Sequence, residues 1–403
     1  MNVPTLRFKE FEGEWINQKL KAVAEVYDGT HQTPKYKQHG VKFLSVENIK
    51  DLKTKKFISE EDFEKEFKIR PEYNDILMTR IGDIGTPNII RDYEKYAYYV
   101  SLALIKVHEV NSEYLFHFIG SEKFQKQLHK RTLHVAFPKK INMGEIGECY
   151  ISLPLNEGEQ KKIASFFNVL NEKVQLQQEK IDLLQEQKKS YMQKIFKQEI
   201  RFKDNDKEFP KWRNLQLKNC VFPLKGNSFN NEIDLTVPVL TISAKRGFIN
   251  QKERFSEVIA GNSLKKYTEV HKQDLSYNKG NSKTAKYGCV FIQKDYETAL
   301  VPNVYKSFRA NNQVEPLFLE YLFATKLIDR QLRQIITSTA RMDGLLNVSD
   351  EDFYNMTIDL PILEEQKKIT NFLYKLDEKI QIEQQKLEAL QKEKKGFIKK
   401  MFI

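Results

Sequence analysis

Residues 159–163 read Glu-Gln-Lys-Lys-Ile, and residues 365–369 read Glu-Gln-Lys-Lys-Ile again. At this offset of 206 (365 minus 159), nearly half of the positions from 159 to 196 are identical to their counterparts. A repeat unit of about 200 residues is too long for a solenoid, whose repeats are about 20–50 residues long. The sequence therefore predicts two copies of one module within a single chain.

A second, shorter repeat lies upstream of each copy. The letters Arg-Phe-Lys begin at Arg7 and again at Arg201, and the chain's two tryptophans, Trp15 and Trp212, follow them. The order of segments is cyclic, because the segment that opens the chain also follows the first long repeat. Such an order predicts a pseudo-twofold arrangement of two modules.

The composition limits the classes of function. A net charge of +11 and a pI of about 9.1 favour a polyanionic partner, most simply nucleic acid, although an ordinary basic cytosolic protein has the same balance. The three cysteines are far apart and form no CxxC pair, which argues against a disulfide framework or a zinc site. The sequence has no apolar run of about 18 residues and no signal-peptide core, so we expect a soluble, cytoplasmic chain that does not bind a membrane.

Residues 159–198 form the first of two predicted long helices. The stretch contains no proline or glycine and is rich in Lys, Gln, Glu and Leu, which are strong helix formers. Its apolar residues alternate in steps of four and three, the spacing of a coiled-coil seam; a solvated helix lying on a globular domain is the alternative. The predicted helix-pairing residues are Ile163, Leu170, Val174, Gln177, Ile181, Leu184 and Lys188 in the first helix, and Ile369, Leu376, Ile380, Glu383, Leu387, Leu390 and Lys394 in the second.

Polar residues interrupt the seam at matching places in the two helices. Such residues cost stability and fix the register and direction of pairing, which favours two helices that pair with each other. An antiparallel pair would bring Lys188 near Glu383, whereas a parallel pair would place Lys188 against Lys394. Because opposite charges attract, we expect antiparallel pairing.

The regions that precede the helices indicate mixed α/β domains, so the predicted fold class is α+β, with two such domains separated by two long antiparallel coiled-coil helices. The predicted boundaries are a first globular domain at 1–155, a first helix at 156–199, a second globular domain at 200–357 and a C-terminal helix at 358–403. Strands are predicted at 41–46, 75–80, 237–242 and 274–280, and helical segments at 112–130 and 315–336. The globular sequences have diverged more than the helices, which suggests that the two domains perform the same function on two different targets.

The sequence contains no catalytic constellation. It has no GxxxxGK[ST] phosphate loop for ATP and no Asn-Pro-Pro-aromatic or Asp-Pro-Pro-aromatic run to hold a flipped adenine or cytosine. The seven histidines are scattered and match no metal-ligand spacing. We therefore predict no catalytic residue, no metal ligand and no cofactor site in this chain.

Candidate DNA-contacting residues come from loops that contain donors and acceptors able to reach base edges. Each of them has surface solvation as its alternative. The candidates are Thr30, His31, Gln32, Thr33, Arg80, His134, Lys139 and Lys140 in the first domain, and Lys225, Asn227, Ser228, Asn278, Lys279, Asn281, Lys283 and Arg341 in the second.

Two variable modules, two near-identical helices and the cyclic repeat resemble the specificity subunit of type I restriction–modification systems. The resemblance covers the whole chain and implies a non-catalytic subunit whose two target recognition domains each read one half of a bipartite, asymmetric site in double-stranded DNA. It also implies that the helices set the spacer and dock two DNA-methyltransferase subunits, through which two motor–nuclease subunits join. S-adenosylmethionine, ATP and Mg²⁺ are then expected in those partners, in a type I restriction endonuclease and adenine-specific methyltransferase complex.

Two other classes of function stay open at this point. A two-headed DNA-binding regulator or scaffold outside any restriction complex would have the same duplicated architecture. A stand-alone methyltransferase or nuclease is disfavoured because its motifs are missing. Co-purification with a methyltransferase subunit distinguishes the first reading from the regulator.

Overall fold

The computed structural model describes residues 3–226, 237–255, 264, 266–280, 282, 285–336 and 345–403. The chain divides into two compact units, Met1–Glu179 with Gln384–Ile403 and Lys180–Glu383. Each unit contains one globular domain and one half of each long helix, so the units cut across the four consecutive segments predicted from the sequence. Within the described residues, no helix is both long enough and apolar enough to cross a membrane.

The first unit contains nine strands among its described residues, together with four short helices and parts of two long ones. The strands are β1 (Trp15–Lys19), β2 (Ala24–Asp28), β3 (Val41–Leu44), β4 (Phe57–Ile58), β5 (Ile76–Ile81), β6 (Asp83–Ile89), β7 (Tyr96–Tyr98), β8 (Leu102–Val107) and β9 (Tyr150–Pro154). The helices are α1 (Glu60–Glu66), α2 (Ser112–Ile119), α3 (Glu122–Arg131), α4 (Met143–Gly147) and the long α5 (Glu157–Phe196), which continues into the second unit. Short 3-10 helices lie at Leu20–Ala22 and Val46–Asn48.

The second unit contains the following strands and helices. The strands are β10 (Lys203–Asp204), β11 (Lys207–Glu208), β12 (Arg213–Gln216), β13 (Val221–Leu224), β14 (Leu240–Ser243), β15 (Gly247–Asn250), β16 (Thr268–His271), β17 (Leu275–Asn278), β18 (Cys289–Ile292), β19 (Thr298–Val301), β20 (Lys306–Ala310) and β21 (Thr357–Leu360). The helices are α6 (Gln251–Phe255), α7 (Pro316–Ala324), α8 (Asp329–Ile335), α9 (Asp350–Asn355) and the long α10 (Leu363–Met401), with a 3-10 helix at Leu217–Asn219.

The two domains repeat the same sheet order. In the first, four antiparallel strands are arranged β2-β8-β5-β6, and β1 pairs with β9. In the second, the order is β13-β20-β17-β18, and β12 pairs with β21. The predicted duplication therefore extends to the globular domains, although their sequences have diverged.

Each domain core incorporates the start of one long helix and the end of the other. In the first unit, Phe167 near the start of α5 stacks on Phe402 just beyond the end of α10, with ring centroids 5.2 Å apart. In the second unit, Phe196 at the end of α5 packs on Phe318 at 5.1 Å, in the same core as Ile369 near the start of α10. Burial of these apolar side chains fixes each helix to its domain.

The paired helices run antiparallel within each unit, as predicted. In the first unit, Phe166 of α5 contacts Phe397 of α10 edge-to-face at 5.0 Å. In the second unit, Tyr191 contacts Phe372 at 5.2 Å in the same manner. Also in the second unit, Lys188 pairs with Asp377, so position along α5 increases from Lys188 to Tyr191 as position along α10 decreases from Asp377 to Phe372.

The predicted approach of Lys188 to Glu383 is wrong. Lys188 forms an ion pair with Asp377 at 2.5 Å instead, and Glu383 forms one with Lys180 at 3.0 Å. The antiparallel register places the partner of Lys188 six residues before Glu383 (383 minus 377), which is about 9 Å along the helix. The predicted direction of pairing is confirmed, but the Lys188–Glu383 pair from which it was predicted does not form.

Candidate nucleic-acid interface

Arg80 lies at the end of β5 and is only 5% exposed. Its guanidinium donates hydrogen bonds to the Val100 carbonyl at 2.7 Å and to the Ile141 carbonyl at 3.1 Å. It also pairs with the Asp28 carboxylate at 2.9 Å. Arg80 is predicted as a base-contacting residue; in the structure its guanidinium is engaged within the protein and connects two surface segments.

The first of these segments is the turn that follows β2. Thr30 is tied to the sheet, since its amide donates to the Tyr98 carbonyl at 3.1 Å and its carbonyl accepts from Val100 at 2.9 Å. The tight approach requires glycine at position 29, where an added Cβ would lie 2.5 Å from the Tyr98 carbonyl oxygen. The exposed His31 ring contacts the other oxygen of Asp28 at 2.9 Å, while Gln32 and Thr33 are exposed.

The second segment is the loop 133–140 between α3 and α4. Its two ends are joined by a 2.8 Å hydrogen bond from the Leu133 amide to the Lys140 carbonyl. Gly82, in the β5–β6 turn with φ of 81°, donates from its amide to the Lys139 carbonyl at 2.8 Å. The His134 side chain contacts the His129 carbonyl at 2.9 Å, and His134, Lys139 and Lys140 are all exposed.

A chain of contacts therefore connects the eight candidates of the first domain at one end of β5. Arg80 connects Asp28 to Ile141, which follows Lys140 directly, and the β5–β6 turn holds Lys139. A cleft of about 320 Å³ between that turn and α3 is lined in part by His129, His134 and Lys139. Hydroxyl, amide, imidazole and ammonium groups therefore lie together at this end of β5. Groups of these kinds contact bases and phosphates in protein–DNA complexes.

The second domain builds a related site at the end of β17. The Leu346 amide donates to the Lys279 carbonyl at 2.8 Å, just as Ile141 donates to Arg80 in the first domain. Asn278 is held in place, because its side chain donates to the Ile242 carbonyl at 3.1 Å and accepts from the Gly280 amide at 2.9 Å. Lys225 follows β13 directly and is exposed.

Five candidates of the second domain lie outside the described residues. They are Asn227, Ser228, Asn281, Lys283 and Arg341.

The repeated Glu-Gln-Lys-Lys-Ile motif attaches each domain to the start of its helix. In the first unit, the Glu159 carboxylate is fully buried and accepts two hydrogen bonds from Arg7, both at 2.7 Å. This hydrogen-bonded carboxylate raises the pKa of Arg7. The next residue, Gln160, accepts from the Asn111 amide at 2.9 Å and donates to the Pro154 carbonyl at 2.9 Å.

The second unit reproduces this network. Glu365 accepts from Arg201 at 3.1 and 2.7 Å, and Gln366 accepts from the Glu315 amide at 2.8 Å and donates to the Pro361 carbonyl at 2.8 Å. The two short repeats found in the sequence, Arg-Phe-Lys and Glu-Gln-Lys-Lys-Ile, are thus the two halves of one contact.

The predicted helix-pairing residues differ in burial. Ile163, Leu170, Ile181, Leu184, Ile369, Ile380 and Glu383 are buried, and Val174, Gln177, Lys188, Leu376, Leu387, Leu390 and Lys394 are partly buried. None of them is fully solvent-exposed, as a shared seam requires.

The polar seam residues Lys188 and Lys394 occupy different environments in their units. Lys188 has Asp377 as an ion-pair partner and lies over the Tyr321 ring at 4.9 Å. Burial lowers the pKa of Lys394. In the same unit as Lys394, burial lowers the pKa of His117 to about 4, although its ring contacts the Asn168 side chain at 2.8 Å.

Sequence reasoning missed two parts of the first site. Asp28 organises the 30–33 turn through Arg80 and His31, but it is 52 residues from Arg80 in the chain. Val135 and Phe137 are fully exposed at the tip of the 133–140 loop. The available signal was a run of apolar residues, among them Val135 and Phe137, directly before the lysine pair Lys139-Lys140. Among the described residues, no group of three or more metal-ligating side chains comes together.

Comparison with known proteins defines the class. The family model for the type I restriction modification DNA specificity domain matches residues 12–186 and 215–392, one match for each repeat. The chain therefore belongs to the type I restriction–modification DNA specificity family, as the resemblance predicted.

Particular relatives agree with that class. The chain is 31% identical over 115 residues to the specificity subunit of the type I restriction enzyme MjaVIII of Methanocaldococcus jannaschii, a match that spans 28% of this chain and 25% of the relative. Its fold is similar to the crystal structure of a type I restriction–modification S subunit from M. genitalium, with a TM-score of 0.58, 15% identity and coverage of 100% of this chain and 99% of that one. It is also similar, with a TM-score of 0.53 and 15% identity over 96% of this chain and 97% of the other, to a chain from a structure of the assembly and conformational transition of a type I restriction–modification system.

Proposed function

We propose that this chain is the non-catalytic, DNA sequence-recognition subunit of a cytoplasmic type I restriction–modification complex. Each globular domain reads one half of a bipartite, asymmetric site in double-stranded DNA. The observation that carries the proposal is the repeated strand end: β5 and β17 occupy the same place in matching sheets, and the end of each accepts the same backbone hydrogen bond, from Ile141 in the first domain and from Leu346 in the second. The family match over both repeats supports it.

The paired helices set the spacer between the half-sites. Helix α5 is 40 residues long, which corresponds to about 60 Å at about 1.5 Å per residue. Duplex DNA rises about 3.4 Å per base pair, so about one and a half turns of DNA have a comparable length. Because each helix end is buried in a domain core, a change in helix length must be transmitted to the domains.

The helices also dock the partner subunits. We propose that two DNA-methyltransferase subunits bind this chain and that two motor–nuclease subunits join through them. S-adenosylmethionine, ATP and Mg²⁺ then belong to those partners. The net charge of +11 supports binding of the chain itself to a polyanion.

Exchange of one domain tests the two-reader proposal. Lys19 and Tyr150 are opposite each other in the β1–β9 pair, so residues 20–149 can be replaced by those of a family relative while the pair that joins the domain to α5 is kept. Methylome sequencing of cells with this variant and its partner subunits should show one half-site changed and the other retained. Joint change of both half-sites would contradict independent readers.

A second experiment tests the division of labour between the subunits. The isolated chain should bind duplex DNA with an affinity that falls steeply with salt, and it should neither methylate nor cleave the DNA. Co-expression should recover the methyltransferase bound to this chain. Turnover by the pure chain, or failure to bind any methyltransferase, would contradict the proposal, and the second result would favour a regulator.

A further inference from the structure

The loop 133–140 is held at its base but fully exposed at its tip. The Leu133–Lys140 and Gly82–Lys139 hydrogen bonds fix the base, and the Ala136 amide donates to the Leu133 carbonyl at 3.3 Å to form a tight turn. At the tip, the side chains of Val135 and Phe137 are fully exposed. A single exposed apolar residue is ordinary on a protein surface. Two fully exposed apolar side chains on a loop whose base is held by hydrogen bonds indicate a surface that inserts into a binding partner.

The charge around the tip indicates which partner. No acidic residue occurs between Thr132 and Asn142 in the sequence. The exposed Lys139 and Lys140 follow the tip, and His134 precedes it. The nearest acidic residue downstream, Glu145, is neutralised by Arg131 at 3.0 Å. An apolar tip beside the two lysines matches a stack of bases beside phosphates, since apolar wedges in DNA-binding proteins enter base steps while basic residues contact the backbone.

The position of the loop supports the same partner. Its base is bonded to the β5–β6 turn, and the residue after it, Ile141, is bonded to Arg80, which also holds the turn containing His31. The tip therefore projects from the same edge as the candidate base-contacting residues. It needs no separate surface to reach the DNA that these residues would contact.

We propose that Phe137, supported by Val135, inserts into the base stack of the half-site bound by the first domain and partly unstacks one base step. The inference rests on the proposed DNA-recognition function and adds a specificity mechanism to it. Base steps differ in the free energy needed to unstack them, so an inserted side chain favours flexible steps without making a hydrogen bond to any base.

The test uses the full chain without its methyltransferase, so that no enzyme can flip a base. Duplexes containing the half-site found by methylome sequencing carry 2-aminopurine at successive positions, and the fluorescence of this base rises when it loses its stacking neighbour. With the unaltered chain, we expect a rise at one step of the first half-site. Phe137→Ala should abolish that rise and weaken binding about 5- to 150-fold, the range expected for loss of one base–aromatic stack. Phe137→Leu should retain part of both effects.

Two controls separate the wedge from other roles. Phe137→Ala removes no charge, so its log–log salt slope should equal that of the unaltered chain, whereas Lys140→Ala should lower the slope by about 0.9 and keep the fluorescence rise. Tyr93→Ala, which removes another highly exposed aromatic ring of the same domain, should change neither quantity.

The outcomes distinguish this inference from the function on which it rests. If Phe137→Ala binds DNA as tightly as the unaltered chain with the same fluorescence, the wedge is refuted and DNA recognition stands. If Phe137→Ala loses only its methyltransferase, the loop is a protein contact and the wedge is equally refuted. If the unaltered chain does not bind duplex DNA, the proposed function itself fails.

Discussion

We expect Arg7→Ala to destabilise the first unit by about 3 kcal/mol. The substitution leaves the Glu159 carboxylate fully buried and removes both of its hydrogen bonds to the guanidinium. Loss of one partner of a buried ion pair typically costs about 3–5 kcal/mol, and we take the lower end because Arg7 is partly exposed and water can replace it. For a urea dependence of about 2–3 kcal/mol per molar, the unfolding midpoint should fall by about 1 M.

The chain provides its own reporters for this measurement. Trp15 belongs to the first unit and Trp212 to the second, and Trp15 is buried. In a Trp212→Phe background, tryptophan fluorescence during urea unfolding therefore follows the first unit alone. The matched control is Arg201→Ala in the same background, because Arg201 makes the equivalent contact in the second unit.

Two results would refute the reasoning. One is a fall in the Trp15 midpoint of less than about 0.3 M urea, which at the same slope is under about 1 kcal/mol and too small for an unpaired buried carboxylate. The other is an equal fall for Arg7→Ala and Arg201→Ala, which would mean that the two units unfold as one. Replacement of the pair by Arg7→Met with Glu159→Leu should recover most of the lost stability, since an apolar pair leaves no buried charge.

Three more predictions use the same reporter or the DNA-binding assay. Burial lowers the pKa of His117 to about 4 in the folded chain, against an ordinary value of 6.5, so the unfolded state binds the proton first as the pH falls. The free energy of unfolding should therefore fall by up to about 3 kcal/mol between about pH 6.5 and pH 4. His117→Gln should flatten that part of a pH series of unfolding midpoints. Asn171 and Lys394 are the repeat counterparts of Asp377 and Lys188, which form an ion pair in the second unit. Asn171→Asp should therefore stabilise the first unit by about 1 kcal/mol and raise the pKa of Lys394 measured by NMR. An unchanged pKa of Lys394 would refute the equivalence of the two pairs. Arg80→Ala should lower the unfolding midpoint because it breaks a buried clamp, whereas Lys139→Ala should leave the midpoint unchanged and reduce the salt slope of DNA binding by about 0.9; the reverse pattern would make Arg80 the DNA contact.

Features with a local physical cause were predictable from the sequence. The long helices follow from composition and heptad spacing, and acidic residues in the first turn favour their starts. The strands around 41–46, 75–80, 237–242 and 274–280 follow from apolar alternation, and the structure places β3, β5, β14 and β17 there. The antiparallel direction of the helices was predicted correctly, although the Lys188–Glu383 pair used to predict it does not form.

Features that depend on distant contacts were not predictable. Arg80 is predicted as a DNA contact from its residue type, whereas its burial and its pairing with Asp28 across the β2–β8–β5 sheet depend on residues far away in the chain. The partner of Lys188 is Asp377 and not Glu383, in a register that also packs Tyr191 on Phe372. The exposure of Phe137, on which its proposed insertion into the base stack rests, was not predictable either, since it depends on hydrogen bonds that join its loop to the β5–β6 turn.

By itself, the sequence determined the duplication, the helices, the family resemblance and the regions that supply the candidate DNA contacts, since repeats, periodicity and charge are properties of neighbouring residues. Only the tertiary structure decided why the repeated motifs exist and which candidates share a surface. The Glu-Gln-Lys-Lys-Ile and Arg-Phe-Lys repeats meet as one buried ion pair in each unit, although the paired residues are 152 residues apart in the first unit and 164 in the second. Strand pairing collects the 30–33 turn and the 133–140 loop at one end of β5. Both results arise because a buried charge requires a partner and a sheet edge satisfies its backbone groups with whatever segment the fold brings to it.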